Sequence, residues 1–197
     1  MPAMSRFECA FCRGAGWRAF AGRIVLPWAL QGERLGGDVL EIGGGGGAMA
    51  ARLLATRPGL QITVTDYDEA MVTAARARLA TSADRASVRQ ADATQLPFPD
   101  DRFDAVLSFI MLHHVIDWEA AVGEAIRVLR PGGVLVGYDL VASRPGRWLH
   151  QAKGARHRLM APRELRDRLA DLPTEAVRLR PGLAGLVGRF TARKALG

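Results

Sequence analysis

The sequence predicts an α/β fold: a doubly wound, seven-stranded and mostly parallel sheet whose last strand runs antiparallel. Three observations carry this prediction. From Asp38 onward, short apolar runs alternate with longer segments of helical periodicity, the signature of βαβ units. The first of these runs ends in a glycine run, Gly43 to Gly47. Phe103 to Phe109 is nearly all apolar, as expected of a strand covered on both faces.

The elements follow in order. Val39-Leu40-Glu41-Ile42 is the first strand, and the glycines turn into a helix over Ala48 to Ala55. Leu60 to Thr65 is the second strand, and Glu69 to Ala80 is helical, with Met71, Ala75 and Leu79 on one stripe. Val88 to Ala91 is a third, weaker strand, and Phe103 to Phe109 is the fourth. Trp118 to Leu129 sets Ala121, Val122, Ala125 and Ile126 on one face, and Arg130-Pro131-Gly132-Gly133 supplies the stop signals. Val134 to Leu140 is the fifth strand, and Pro162 to Ala170 is a helix with proline in its first turn. Ala176 to Arg180 and Leu186 to Ala192, joined through Pro181-Gly182, form a terminal antiparallel pair. No internal repeat, low-complexity stretch or linker breaks the chain, so residues 1–197 are expected to be one domain.

Composition narrows the class. With 197 residues and 49% hydrophobic content the chain can bury a sizeable core, which argues against disorder and fibrous structure. The two cysteines, Cys9 and Cys12, would close almost no loop if bridged, which fits a reducing compartment. They lack a second cysteine pair, so no zinc site is expected. The apolar run Ala19 to Leu30 is broken by Arg23 and Pro27 and is shorter than the ~20 residues a membrane span needs. Together these features give a cytoplasmic expectation. The net charge of +7 divides unevenly: residues 1–139 carry 14 basic against 16 acidic side chains, and residues 140–197 carry 13 against 4. Basicity thus belongs to the last third of the chain.

The glycine run is the strongest local feature. Glycine permits positive φ and lets a ligand approach the main chain, and a turn at the carboxyl end of a central parallel strand is where ligands bind. Gly43-x-Gly45-x-x-Ala48 fits a dinucleotide fingerprint, while Glu41-x-Gly43-x-Gly45-x-Gly47 fits a different nucleoside-binding loop. Asp66, ending the second strand, suits either, because a carboxylate accepts two hydrogen bonds from a ribose diol. Asp68 is the candidate for capping the following helix.

The exit of the third strand decides between the two. Ala91-Asp92-Ala93-Thr94-Gln95-Leu96-Pro97-Phe98 places an acid just past a strand, and Phe103-Asp104-Ala105-Val106, Leu112-His113-His114-Val115 and Arg127-Val128-Leu129-Arg130-Pro131-Gly132-Gly133 follow. With Val39 to Gly47 and Val64 to Met71, this series resembles the class I S-adenosylmethionine-dependent methyltransferases, in order and spacing. The similarity is greatest to the small-molecule branch related to quinone biosynthesis. It runs from Val39 to about Leu140, just over half the chain, and implies a Rossmann-like fold with S-adenosyl-L-methionine as cofactor.

The resemblance also implies roles. The Glu41–Gly47 loop, with Gly43, Gly44, Gly45 and Gly47, would hold the methionine portion. Asp66 would bind the ribose hydroxyls and Tyr67 would flank the adenine. Asp92 would accept from the adenine amino group, with the Ala93 backbone beside it and Ser108 completing the cofactor set. Two departures are visible: Glu41 stands where the family more often has Asp, and Gly44 where Cys is frequent. His113 and His114 follow the fourth strand, where either could serve as a base or as a wall of the cofactor site. Ser108-Phe109-Ile110-Met111 lacks the Asn/Asp-Pro-Pro-aromatic pattern of amino-group methyltransferases, which favours an oxygen or carbon acceptor.

The N-terminal residues 1–36 are expected to form a helical cap, and the basic segment 141–161 to overhang the acceptor. That segment holds Arg144, Arg147 and Trp148 and no acid, as would suit an anionic or lipid-like small molecule or contact with an anionic membrane surface. An RNA methyltransferase using the basic third, a nicotinamide-dinucleotide oxidoreductase and a non-enzymatic cofactor-binding protein are the alternatives.

Overall fold

The computed structural model describes residues 21–142 and 159–197. Among these, strands β1 (Gly37–Ile42), β2 (Leu60–Asp66), β3 (Ala86–Gln90), β4 (Phe103–Phe109), β5 (Leu129–Leu140), β6 (Thr174–Gly182) and β7 (Val187–Lys194) form one sheet in the order β3-β2-β1-β4-β5-β7-β6. The pairs β2–β3, β1–β2, β1–β4 and β4–β5 are parallel, and β7 runs antiparallel to both β5 and β6. This is the doubly wound sheet that the alternation predicts.

Helices α1 (Leu26–Leu30), α2 (Ala48–Thr56), α3 (Glu69–Leu79), α4 (Trp118–Arg127) and α5 (Pro162–Ala170) cover its two faces. Strand alternation divides the core between them. Val39, Ala105, Leu107, Val134 and Val136 pack with α1 and α2. Leu40, Ile42, Val106 and Leu135 pack with Trp118 and Ile126 of α4 and Leu165 of α5. β4 is therefore buried on both sides, as its unbroken apolar run requires.

Several element ends differ from expectation, two of them for a reason that the strand pairing shows. α4 stops at Arg127, and β5 starts at Leu129, ahead of the Arg130–Gly133 stop signals. Leu129 pairs with Phe103, and the register then slips before Ala105 pairs with Val134. The Pro-Gly-Gly stretch is thus a bulge within the strand. β3 begins at Ala86, earlier than Val88, because Ile62 and Thr63 of β2 extend its partner ladder.

Of the N-terminal cap, residues 1–20 lie outside the described residues, as do Cys9 and Cys12. Leu26, Ala29 and Leu30 are buried, and the Trp28 ring meets Tyr138 edge-on at 5.4 Å. Among the described residues no helix is long and apolar enough to cross a membrane.

Candidate active site

In an open parallel sheet, ligands bind beyond the carboxyl ends of the strands where the winding reverses. Here that point lies between β1 and β4, since β1 has β2 on one side and β4 on the other. Gly43 and Gly45 in the loop after β1 have φ of 62° and 54°, which L side chains rarely adopt. A Cβ on Gly45 would meet nothing within 4 Å among the described residues, so its main chain is open to them. A Cβ on Gly43 would lie 2.6 Å from the Met111 Cβ, so the loop packs directly on the segment after β4.

Asp66 ends β2 and braces this loop. Its Oδ2 accepts from the Gly45 amide at 2.8 Å and its Oδ1 from the Asp68 amide at 2.9 Å. Burial raises its pKa, opposed by those backbone N–H groups. Asp68 caps α3, accepting from the Ala70 amide at 2.8 Å, so Asp66 is not needed for capping. The Ala91 amide donates to the Asp66 carbonyl at 3.0 Å and draws the exit of β3 alongside. Asp92 Oδ1 accepts from the Thr94 amide and hydroxyl at 2.8 and 2.7 Å. Tyr67 is half exposed and Ala93 buried. The structure therefore gathers the glycine loop, Asp66, Tyr67, Asp92 and Ala93 on three adjacent strand ends.

Glu41 is buried, and among the described residues its Oε2 has no hydrogen-bond partner. Its pKa is pushed up to about 8, first by burial and further by the nearby Asp66 charge, against a hydrogen bond from the Ala50 amide. A carboxyl raised in this way keeps its proton in the folded chain at pH values where the unfolded chain has lost it. Its stabilising contribution is full below the ordinary value of 4.5 and is lost as pH climbs through about 8. The melting temperature of the ligand-free protein is expected to fall over that window, and Glu41→Gln to flatten the fall in a thermal-shift series.

Glu41 also explains its neighbour. A Cβ on Gly44 would lie 3.1 Å from the Glu41 Cδ, 3.2 Å from its Cγ and 2.5 Å from Val64 Cγ1. A side chain at 44 would thus meet Val64 first and Glu41 next, so the acid at 41 takes part of the space that it would need. Gly44→Ala is expected to lower the melting temperature, and adding Glu41→Asp to restore part of the loss. A double-mutant cycle by thermal denaturation measures that coupling.

Ser108 closes β4 opposite Ile42 and is buried, with no partner for its Oγ among the described residues. Beyond it, Ile110 takes φ 53°, a costly conformation for a β-branched residue. This kink turns the chain into a short 3₁₀ segment, Leu112–His114. The buried His113 ring lies 4.0 Å from that of His114, centroid to centroid. His113 Nδ1 is 2.6 Å from Oδ1 of Asp139, whose side chain is fully buried at the end of β5.

Two elements of the site were missed by sequence reasoning. Asp139 was passed over as part of an apolar strand; a lone acid near the end of a buried run is the signal that would find it. The other is a clamp on the Leu96-Pro97-Phe98 loop. Arg127 donates to the carbonyls of Leu96 and Phe98 at 3.1 and 2.9 Å, and Glu124 accepts from the Leu96 amide at 2.7 Å. The Arg127 guanidinium holds the Glu124 carboxyl below its ordinary value. Arg144, Arg147 and Trp148 lie outside the described residues.

The residues present fit S-adenosylmethionine on two observations, both among the described residues: the open main chain at Gly45 and the buried Glu41 Oε2 without a partner, whose proton a cationic ligand would displace.

Comparison with known proteins agrees. A family profile described as a methyltransferase domain matches residues 40–137. A demethylmenaquinone methyltransferase of Clavibacter sepedonicus is 40% identical over 120 residues, covering 61% of this chain and 45% of that protein. A ubiquinone/menaquinone biosynthesis C-methyltransferase of Pseudomonas putida is 38% identical over 110 residues, covering 54% of this chain and 43% of its own length. This chain thus spans less than half the length of either relative. An S-adenosylmethionine-dependent methyltransferase structure from Thermotoga maritima shares the fold at a TM-score of 0.74 and 24% identity, covering 96% of each chain. The sheet order, the glycine loop and the profile match converge: residues 40–137 carry a methyltransferase domain of the class I, S-adenosyl-L-methionine-dependent type.

Proposed function

We propose that this protein transfers a methyl group from S-adenosyl-L-methionine to a ring carbon of a small, reduced quinone-like acceptor. The observation that carries the acceptor class is the 40% identity over 120 residues to a demethylmenaquinone methyltransferase. When bound, the cofactor supplies a methyl group already activated on a positively charged sulfur. The glycine loop and Glu41 hold its methionine portion, Asp66 its ribose, and Tyr67, Asp92 and Ala93 its adenine side, with Ser108 completing the cofactor set.

The rest of the chemistry falls to the protein: hold the acceptor carbon in line, exclude water and take a proton. A phenolic ring becomes a carbon nucleophile as its hydroxyl loses a proton, and the ring hydrogen at the methylated carbon must then leave as a second proton. His113, at the carboxyl end of β4, is the base for such a transfer. Arg144, Arg147 and Trp148 in the basic segment recognise an anionic or lipid-like acceptor, with contact to an anionic membrane surface bringing it within reach. Residues 1–197 act as one domain, working in the cytoplasm.

Calorimetry with S-adenosylmethionine and S-adenosylhomocysteine tests the cofactor, with affinity on the order of micromolar expected. Incubation with S-adenosylmethionine and a short-chain demethylmenaquinol, read by mass spectrometry for one added methyl, tests the acceptor. No heat with either ligand but binding of a nicotinamide dinucleotide would overturn the proposal in favour of an oxidoreductase. Cofactor binding without turnover would remove the quinone-like acceptor alone.

A further inference from the structure

The end of the β6–β7 pair that lies beside the carboxyl end of β5 carries three arginines on one face. Arg180 lies directly opposite Arg189, and Arg178, two residues earlier on β6, lies opposite Thr191. Strand alternation puts them on the face where Arg189 meets Tyr138 of β5. None of the three meets a carboxylate among the described residues. Glu175, the one acid on either strand, sits at the far end of the pair, opposite Arg193, which is itself bonded to Glu33.

Like charges directly opposite each other on adjacent strands destabilise a sheet. Arg189 is nonetheless held in place: its Nη1 donates to the Trp28 carbonyl at 3.0 Å, and its guanidinium lies 4.6 Å from the Trp28 ring centroid. Its buried Nε has no hydrogen-bond partner among the described residues. Burial, and after it the Arg180 charge, lowers the Arg189 pKa, as expected of a cation that lacks an anion. Aliphatic side chains stand beside these arginines. Trp28 packs on Gly182, where a Cβ would lie 2.5 Å from the Trp28 Cζ2. Leu183, the next residue, is 68% exposed in the β6–β7 turn, and Ile24, four residues before Trp28, is 57% exposed. Leu183 has φ 46°, a conformation that glycine or asparagine takes more readily than leucine.

We propose that this corner docks on an anionic phospholipid surface, with Arg178, Arg180 and Arg189 taking lipid phosphates and Leu183 and Ile24 entering the interface. Charge complementarity selects an anionic leaflet. The exposed aliphatic groups select lipid over nucleic acid, which stacks on aromatic rings, and the Trp28 ring is covered by Arg189. The corner adjoins the carboxyl end of β5, so docking brings the candidate site close to the bilayer. The proposal rests on the membrane contact in the reading above and locates it on β6, β7 and the turn before α1. It does not depend on which acceptor is methylated.

The test sediments the full chain with phosphatidylcholine vesicles containing roughly 30% phosphatidylglycerol, and with vesicles of phosphatidylcholine alone. Wild-type protein should bind the anionic vesicles about tenfold more tightly, and added salt should erase the difference. Arg180→Gln and Arg189→Gln should each weaken that binding about fivefold, and Leu183→Asn, which suits the turn, about tenfold. Arg180→Gln should melt no lower than wild type, because it relieves the like-charge pair, and S-adenosylhomocysteine affinity should stay within about twofold in all three variants. Where Arg189→Gln fails to fold, the exposed Arg180 and Leu183 decide the outcome. Wild-type protein that leaves the anionic vesicles unbound overturns the proposal, and binding to single-stranded RNA in their place turns the corner into a nucleic-acid surface. Undiminished vesicle binding in both Arg180→Gln and Leu183→Asn overturns it as well. Vesicle binding as expected without methylation of the quinol removes the acceptor reading and leaves the docking surface standing.

Discussion

Asp66→Ala is expected to weaken S-adenosylhomocysteine binding by on the order of 10²–10³-fold, measured by calorimetry. A ribose diol offers two hydroxyl donors to one carboxylate, and each hydrogen bond to a charged group contributes about 1.5–3 kcal/mol. The same carboxylate also holds the Gly45 amide at 2.8 Å, so its removal loosens the glycine loop as well as the ribose site. Asp66→Asn keeps one acceptor oxygen and should lose about tenfold. Asp68 remains in place to cap α3, so the melting temperature of Asp66→Ala should fall by only a few degrees. Unchanged affinity in a folded Asp66→Ala protein would remove the ribose role.

The second large effect is structural. Gly137 in β5 lies opposite Phe190 of β7. A Cβ there would sit 2.2 Å from the Phe190 Cζ and 2.6 Å from the Ser108 carbonyl oxygen on β4. Phe190 is fully buried and Ser108 O is backbone, so neither gives way cheaply. Overpacking a filled core costs about 1–3 kcal/mol and sometimes more, and a clash on two sides belongs at the upper end. Gly137→Ala should therefore lower the melting temperature by about 6–12 °C in a domain of this size. Shrinking the ring with Phe190→Leu in the same chain should recover part of that loss. A Gly137→Ala protein as stable as wild type would mean that β5 and β7 do not pack in this register.

Much of this was legible because it is local. The apolar run Phe103 to Phe109 reads as a strand buried on both faces, and the glycines between Ile42 and Ala48 as a turn at a strand end. Asp68 sits where a cap belongs, which frees Asp66 from that duty. What the sequence did not reveal depends on distant partners. The start of β5 at Leu129 is set by pairing with Phe103, which overrides the local stop signals of Pro131, Gly132 and Gly133. Asp139 gains its meaning from Met111, Leu112 and His113, which lie 26 to 28 residues earlier in the chain. The Arg127 clamp reaches back across 29 to 31 residues to Phe98 and Leu96. The space shared by Glu41 and Gly44 becomes visible only once side chains have volume.

The sheet order also sets a sequence of events during synthesis. β7 is made after β6, yet it lies between β5 and β6. Until Val187 to Lys194 has emerged, the outer edge of β5 has no partner, and β6 has no sheet to join. That edge runs through Val134, Leu135 and Val136, all buried in the finished fold. A nascent chain therefore carries an open, apolar strand edge through the making of some fifty further residues, the kind of edge that recruits other chains. Insertion of β7 joins β5 to β6 and closes that hazard, so the chain is most exposed to aggregation just before β7 arrives.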